Sequence, residues 1–169
     1  GAEIVKRYGT EDYDAIISRG GTAQLIQTLT EIPVISIRLS VYDVLRVIKM
    51  VENYSSLYAV VGFPSITEPA HILCDLLGYE LDIITVHSAG EAETALGRLR
   101  QGGYKMVVSD VVTHTLALQN GMTAFLITSG MESLHTAFDE AIRISGYLQE
   151  LRREVHFLRR IARERESNT

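Results

Sequence analysis

Cysteine is nearly absent. Cys74 stands alone among 169 residues, so neither an intramolecular disulfide framework nor a thiolate zinc cage can be built. Tryptophan is missing, proline occurs three times and aromatics make up 7% of the chain, which leaves aliphatic side chains to form the core. No apolar run approaches the ~20 residues of a membrane span, and no basic-then-apolar signal segment opens the chain. A reducing cytoplasm is therefore expected, with no membrane partner. Positive charge is not in excess either. Sixteen Lys and Arg face 21 Asp and Glu, a formal −5, which argues against a basic module that touches nucleic acid directly. No G-x-G-x-x-G, Walker lysine or nucleophile elbow is present.

What is present is ordinary globular material, 46% hydrophobic and 22% charged, enough for one large domain or two small lobes. Gly1 stands where a Met is usual, as in a processed chain or an excised piece. Charge is unevenly spread. Between Glu150 and Glu166 lie six arginines (152, 153, 159, 160, 163, 165) and four glutamates, a local +2, so the preceding body carries −7.

Short Ile- and Val-rich runs at 14–18, 34–37, 57–61, 81–86, 105–109 and 124–128 alternate with helical patterns. Continuous apolar runs suit strands covered on both faces. Strand alternating with helix predicts an α/β fold with a parallel sheet and right-handed crossovers. The leucine-rich-repeat spacing is absent, which removes that solenoid. Ser40 with Asp43 opens a helix whose apolar positions are 41, 44, 45, 48 and 51, and Ser88 with Glu91 and Ser129 with Glu132 read as capping boxes. Gly78, Gly102, Gly103 and Gly121 mark helix ends. Residues 2–8 read as a helix with no strand before it, as if a first strand had been lost. From Leu134 a stripe is read at 134, 138, 141, 145, 148, 151, 155, 158 and 162, apolar except for Ser145 and heptad-like with one slip between 148 and 151. Beyond Leu148 that stripe is flanked only by charge. A solvated terminal helix, a homodimer seam of either polarity, and a connector to a further domain all fit.

Ligands of open parallel sheets bind outside the carboxyl ends of the strands, where helix N-termini offer free N–H groups. Those ends hold Ser18, Arg19, Gly20, Gly21 and Thr22, then Arg38 and Ser40, then Gly62, then Ser109, Asp110 and Thr113, and finally Ser129 and Gly130. Small hydroxyls, glycines and two arginines suit an anion, because hydroxyls and amides donate and a guanidinium forks onto a carboxylate. A tight turn explains 18–22 equally well, and a helix cap explains 129–133. Catalytic groups are thin. The histidines (71, 87, 114, 135, 156) sit on different elements, His71 with Cys74 supplies too few ligands for zinc, and Asp110 has a sufficient role as an N-cap. No catalytic residue, metal or cofactor is expected.

Four segments in order resemble one family. They are 13–23 (YDAIISRGGTA), 32–45 (IPVISIRLSVYDVL), 107–113 (VVSDVVT) and 125–134 (FLITSGMESL), and the likeness extends over about 2–150. The chain resembles the propionate catabolism activator N-terminal domains, which are sensors of sigma-54-dependent transcription activators. The resemblance implies two α/β lobes with a cleft, similar to periplasmic binding proteins, and a small effector in that cleft. It also implies an ATPase and a helix-turn-helix downstream, often with a PAS domain between, and a strand and helix ahead of Gly1. Its site residues fall on Ser18, Arg19, Gly20, Thr22, Arg38, Ser40, Tyr42, Ser109, Asp110, Ser129 and Gly130. Many relatives carry glycine where this chain has Ser109, and the propionate regulators lack the first-loop arginine, so 2-methylcitrate is not carried over.

The expectation is thus a cytoplasmic sensor with a discontinuous first lobe (1–55 with 129–150), a second lobe (56–128) and a charged helical tail (151–169). It takes a small anionic metabolite, an organic acid or a phosphate-bearing one, between the lobes and pairs as a homodimer through the C-terminal helix. An enzyme on the same scaffold acting on a carboxylated or phosphorylated metabolite, and a ligand-free dimerisation module, are the alternatives.

Overall fold

Val60, Val61, Val107 and Val108 are wholly inaccessible to solvent, which requires a strand pair covered on both faces. The computed structural model describes residues 2–9, 12–54 and 57–166. In chain order its elements are α1 (Ala2–Tyr8), β1 (Ile16–Arg19), α2 (Gly20–Gln27), β2 (Val34–Ile37), α3 (Val41–Val51), β3 (Tyr58–Gly62) and α4 (Pro64–Leu77). They continue as β4 (Asp82–Thr85), α5 (Ala89–Gln101), β5 (Met106–Ser109), α6 (Val111–Gln119), β6 (Thr123–Leu126) and α7 (Met131–Glu166). Strand alternates with helix throughout, as the apolar runs predict, and every strand pair is parallel.

Two compact units result, Gly1–Ile37 with Leu134–Thr169, and Arg38–Ser133. In the first, β1 and β2 pair in register from Ile16↔Val34 to Arg19↔Ile37. In the second, the strand order is β4-β3-β5-β6. The chain leaves β3 to one side for β4 and returns to the other for β5, so the order reverses between β3 and β5.

Helices cover both faces of the four-stranded sheet. On one, Val44, Ile48 and Val51 of α3 and Ile66, Ala70 and Leu73 of α4 close over Tyr58, Val60 and Val108. On the other, Ala92, Leu96 and Leu99 of α5 and Ala117 of α6 close over Ala59, Val61 and Val107. The two-residue period of β3 assigns 58 and 60 to one core and 59 and 61 to the other. Each fully buried aliphatic side chain contributes about 1.5–3 kcal/mol through its lost contact with water.

The units are bounded differently from the expected lobes, and the expected tail at 151–169 falls within the first of them. Helix α3, expected with the first lobe, belongs with the second, because the face spelled by 44, 48 and 51 is buried in the second unit's core. The boundaries therefore fall after residues 37 and 133 rather than after 55 and 128. The capping signals at Ser40 and Ser88 hold, whereas α7 begins at Met131, one residue late for a cap by Ser129. Ser40 and Asp43 form a reciprocal box, Ser88 accepts from the Glu91 N–H, and Gly78 ends α4 in the left-handed region at φ 66°. The C-terminal helix runs unbroken from 131 to 166, so the body-to-tail change in charge occurs within one element. Among the described residues no helix is long and apolar enough to cross a membrane.

Candidate functional site

In a doubly wound sheet the open crevice lies where strand order reverses, at the carboxyl ends of the two diverging strands. Here those strands are β3 and β5. Their ends bring together Gly62, Asp110 and Thr113. Asp110 Oδ2 accepts from the Phe63 N–H at 3.0 Å and from the Thr113 hydroxyl at 3.2 Å, while Oδ1 accepts from the Thr113 N–H at 2.9 Å. One carboxylate thus caps α6 and fastens the end of β3 to the start of α6. Gly62 is needed for this closeness: a Cβ there would lie 2.6 Å from Asp110 Oδ2. Ser109, one residue earlier, is fully buried, and its hydroxyl has no partner among the described residues.

A second constellation surrounds Asp43, at the third position of α3 and 1% exposed. Its Oδ2 accepts from the Ser40 N–H at 2.8 Å, the Ser40 hydroxyl at 3.0 Å and the Ser133 hydroxyl at 2.9 Å. Its Oδ1 accepts from the Gly130 N–H at 2.7 Å and from the Arg46 guanidinium. Arg46 also reaches Glu132 at 3.4 Å. Burial is the largest single influence on Asp43 and pushes its carboxyl upward. The hydrogen bonds from Ser40, Gly130 and Ser133 together outweigh it, and the group lies below the ordinary aspartate value. Glu132 is also held low, first by its own backbone N–H and then by the Arg46 charge. Ser40 and Gly130, both sequence-predicted site residues, are therefore joined through a carboxylate that sequence reasoning treated only as a cap.

Expected site residues in the first unit follow one another at the carboxyl end of β1. Ser18 is half-buried and Arg19, the last residue of β1, is exposed. Arg19 occupies the N-cap of α2 in extended conformation and makes no side-chain capping bond. Gly20, at φ 43°, makes the turn into the helix, and Gly21 and Thr22 form its first turn. The N-cap residue of α2 thus leaves the leading amides without a side-chain cap and is itself a cation, a combination suited to an anion. Arg38 and Tyr42 are exposed, and Ser129 is half-buried just before α7.

A cavity of about 540 Å³ in the first unit is lined by Tyr13, residues 28–32 and Arg152. It contains none of the expected site residues and lies toward the amino ends of β1 and β2, opposite Arg19. Its cation, Arg152, already meets Asp14 at 2.8 Å, so it is poorly placed to receive an anion. His87 is exposed and its N–H donates to Glu91, and no group of three or more His, Cys, Asp or Glu among the described residues is placed to hold a metal. Burial raises the Cys74 thiol above its ordinary value, the reverse of an activated nucleophile.

The model of one family, described as propionate catabolism activator, matches residues 1–150. The chain belongs to this family of sigma-54 regulator sensor domains. Its architecture is similar to that of an NtrC family transcriptional regulator from Clostridium acetobutylicum. That likeness has 29% identity and a TM-score of 0.67, and covers 82% of this chain and 74% of the other. The transcription regulator CcpA of Lactococcus lactis matches at 11% identity and a TM-score of 0.40, covering 70% of this chain and 55% of that one, too distant to inform the fold. Within the sensor family, the α/β units with parallel sheets and the long terminal helix are the expected frame.

Proposed function

We propose that this sensor domain takes a small anionic metabolite, an organic acid or a phosphate-bearing one, at the carboxyl ends of its strands. Arg19 supplies the fixed positive charge, and the leading amides of α2 with Thr22 supply neutral donors. The observation that carries this reading is an exposed arginine, Arg19, at the N-cap of α2, where it makes no side-chain capping bond. A ligand shifts a conformational equilibrium only by its differential affinity, so an effector held at the start of α2 acts on α7, most of which belongs to the same unit, only by binding one arrangement of that unit more tightly. The longer protein is cytoplasmic, pairs through α7, and carries its ATPase and DNA-reading elements elsewhere.

The engagement of Asp110 supports a sensor over an enzyme. Both its oxygens accept hydrogen bonds from the residues they brace, leaving it ill-suited to move a proton. Thermal melting of the intact chain against mono-, di- and tricarboxylates and phosphorylated acids tests the proposal. An effector class raises the unfolding midpoint and is recovered unchanged afterwards. A flat response across the panel, or turnover of the compound, contradicts it.

A further inference from the structure

We infer that the distal part of α7 is one half of a parallel, in-register coiled coil formed with a second copy of this chain. This deepens the pairing through α7 proposed above and rests on it. Counting back from Leu158, positions 155, 151, 148, 144, 141 and 137 follow an unbroken alternation of three and four residues. No slip is needed, in contrast to the stripe through 138 and 145 expected from sequence. Ser145 belongs to a neighbouring face, where its hydroxyl donates to Asp14 at 2.7 Å, as Arg152 does at 2.8 Å. The stripe is covered at its start and bare at its end: Ala137 is 3% exposed, whereas Leu151, Val155 and Leu158 are 56%, 45% and 62% exposed. A continuous heptad seam that emerges uncovered calls for another helix of the same kind.

The flanking charges select the polarity. With Leu148, Val155 and Ala162 at a and Ile144, Leu151 and Leu158 at d, Arg152 and Arg159 fall at e and Glu154 at g. In a parallel pair a g residue faces the e residue five positions later in its partner, so Glu154 meets Arg159 of the second copy, twice per dimer. An antiparallel pair brings e against e, which sets arginine against arginine. A β-branched Val155 at a between leucines at d also favours two parallel strands. Arg160 and Glu164, 3.4 Å apart on the outer face, pair within their own helix and do not compete.

Disulfide trapping and sedimentation of the intact chain in a Cys74→Ser background test the inference. Val155→Cys and Leu158→Cys each link two chains under mild oxidation, because like positions face each other along a parallel seam, whereas Phe157→Cys on the outer face does not. In sedimentation at high micromolar concentration the parent dimerises. Glu154→Arg weakens that association severalfold, and adding Arg159→Glu restores it by exchanging the two charges. A monomeric parent overturns the inference, as does linkage at only one seam position or no faster than at Phe157→Cys, or a double reversal that fails to restore pairing. A monomer that still binds an effector would remove the coiled coil and leave the sensor reading intact.

Discussion

The Asp43 carboxylate accepts the Gly130 N–H at 2.7 Å across 87 residues of sequence. The two residues stand where the chain has just entered the second unit, in the first turn of α3, and where it is about to leave, one residue before α7. Ser133, the last residue of that unit, donates to the same carboxylate at 2.9 Å. One buried charge therefore sets the geometry of both passages within this unit. A buried carboxylate is tolerated because every side of it meets a donor.

Removing that carboxylate strands several donors at once. Asp43→Ala is expected to cost about 3 kcal/mol, the penalty typical of breaking a buried charged network. For a chain of this size that corresponds to a fall of roughly 6–12 °C in the unfolding midpoint. Glu132→Ala, which removes an exposed partner of Arg46, leaves the unfolding midpoint close to that of the parent. Calorimetry of the two variants beside the parent checks both values.

Acid sensitivity follows from the same group. Asp43 has its pKa depressed in the folded state, so the unfolded chain binds more protons in the acid range. The stabilisation is complete above the ordinary aspartate value of about 3.9 and is lost as pH falls below it through the depressed folded value. Denaturant titrations should show stability level between about pH 7 and 5 and declining below about 4. Asp43→Asn should flatten that decline while lowering stability at neutral pH.

Gly62 and Ser109 make a contrasting pair at the ends of β3 and β5. Gly62→Ala drives a methyl against Asp110 Oδ2 and should destabilise by about 1–3 kcal/mol, in the range of other overpacked sites. Ser109→Ala removes a buried hydroxyl with no partner among the described residues and should stabilise by about 1 kcal/mol. Equilibrium unfolding in urea distinguishes the two signs.

The parallel α/β plan was legible because it is written in local patterns. The run at 34–37 matches β2 residue for residue, and the Ser40–Asp43 spacing predicts a cap that the structure shows as a reciprocal box. The bracing role of Asp110 was half visible: its capping of α6 is local, but its bond to Phe63 spans 47 residues. The Asp43 hub was hidden for the same reason, since Gly130 and Ser133 are distant in sequence and carry no signal that points back to it. Assignment of α3 to the second unit also lay beyond local pattern. The apolar positions 44, 48 and 51 disclose a buried face but not which core buries it.

Arg19 carries the central claim, and calorimetric titration of the intact chain with the effector class that raises its melting point tests it most directly. A charge-assisted hydrogen bond is worth about 1.5–3 kcal/mol, so Arg19→Ala should weaken binding by roughly 10- to 100-fold, and Arg19→Lys should recover part of that loss. Because Arg19 is exposed, both variants should melt, without ligand, where the parent does. Equal affinity of Arg19→Ala and the parent for the same anion would contradict the account.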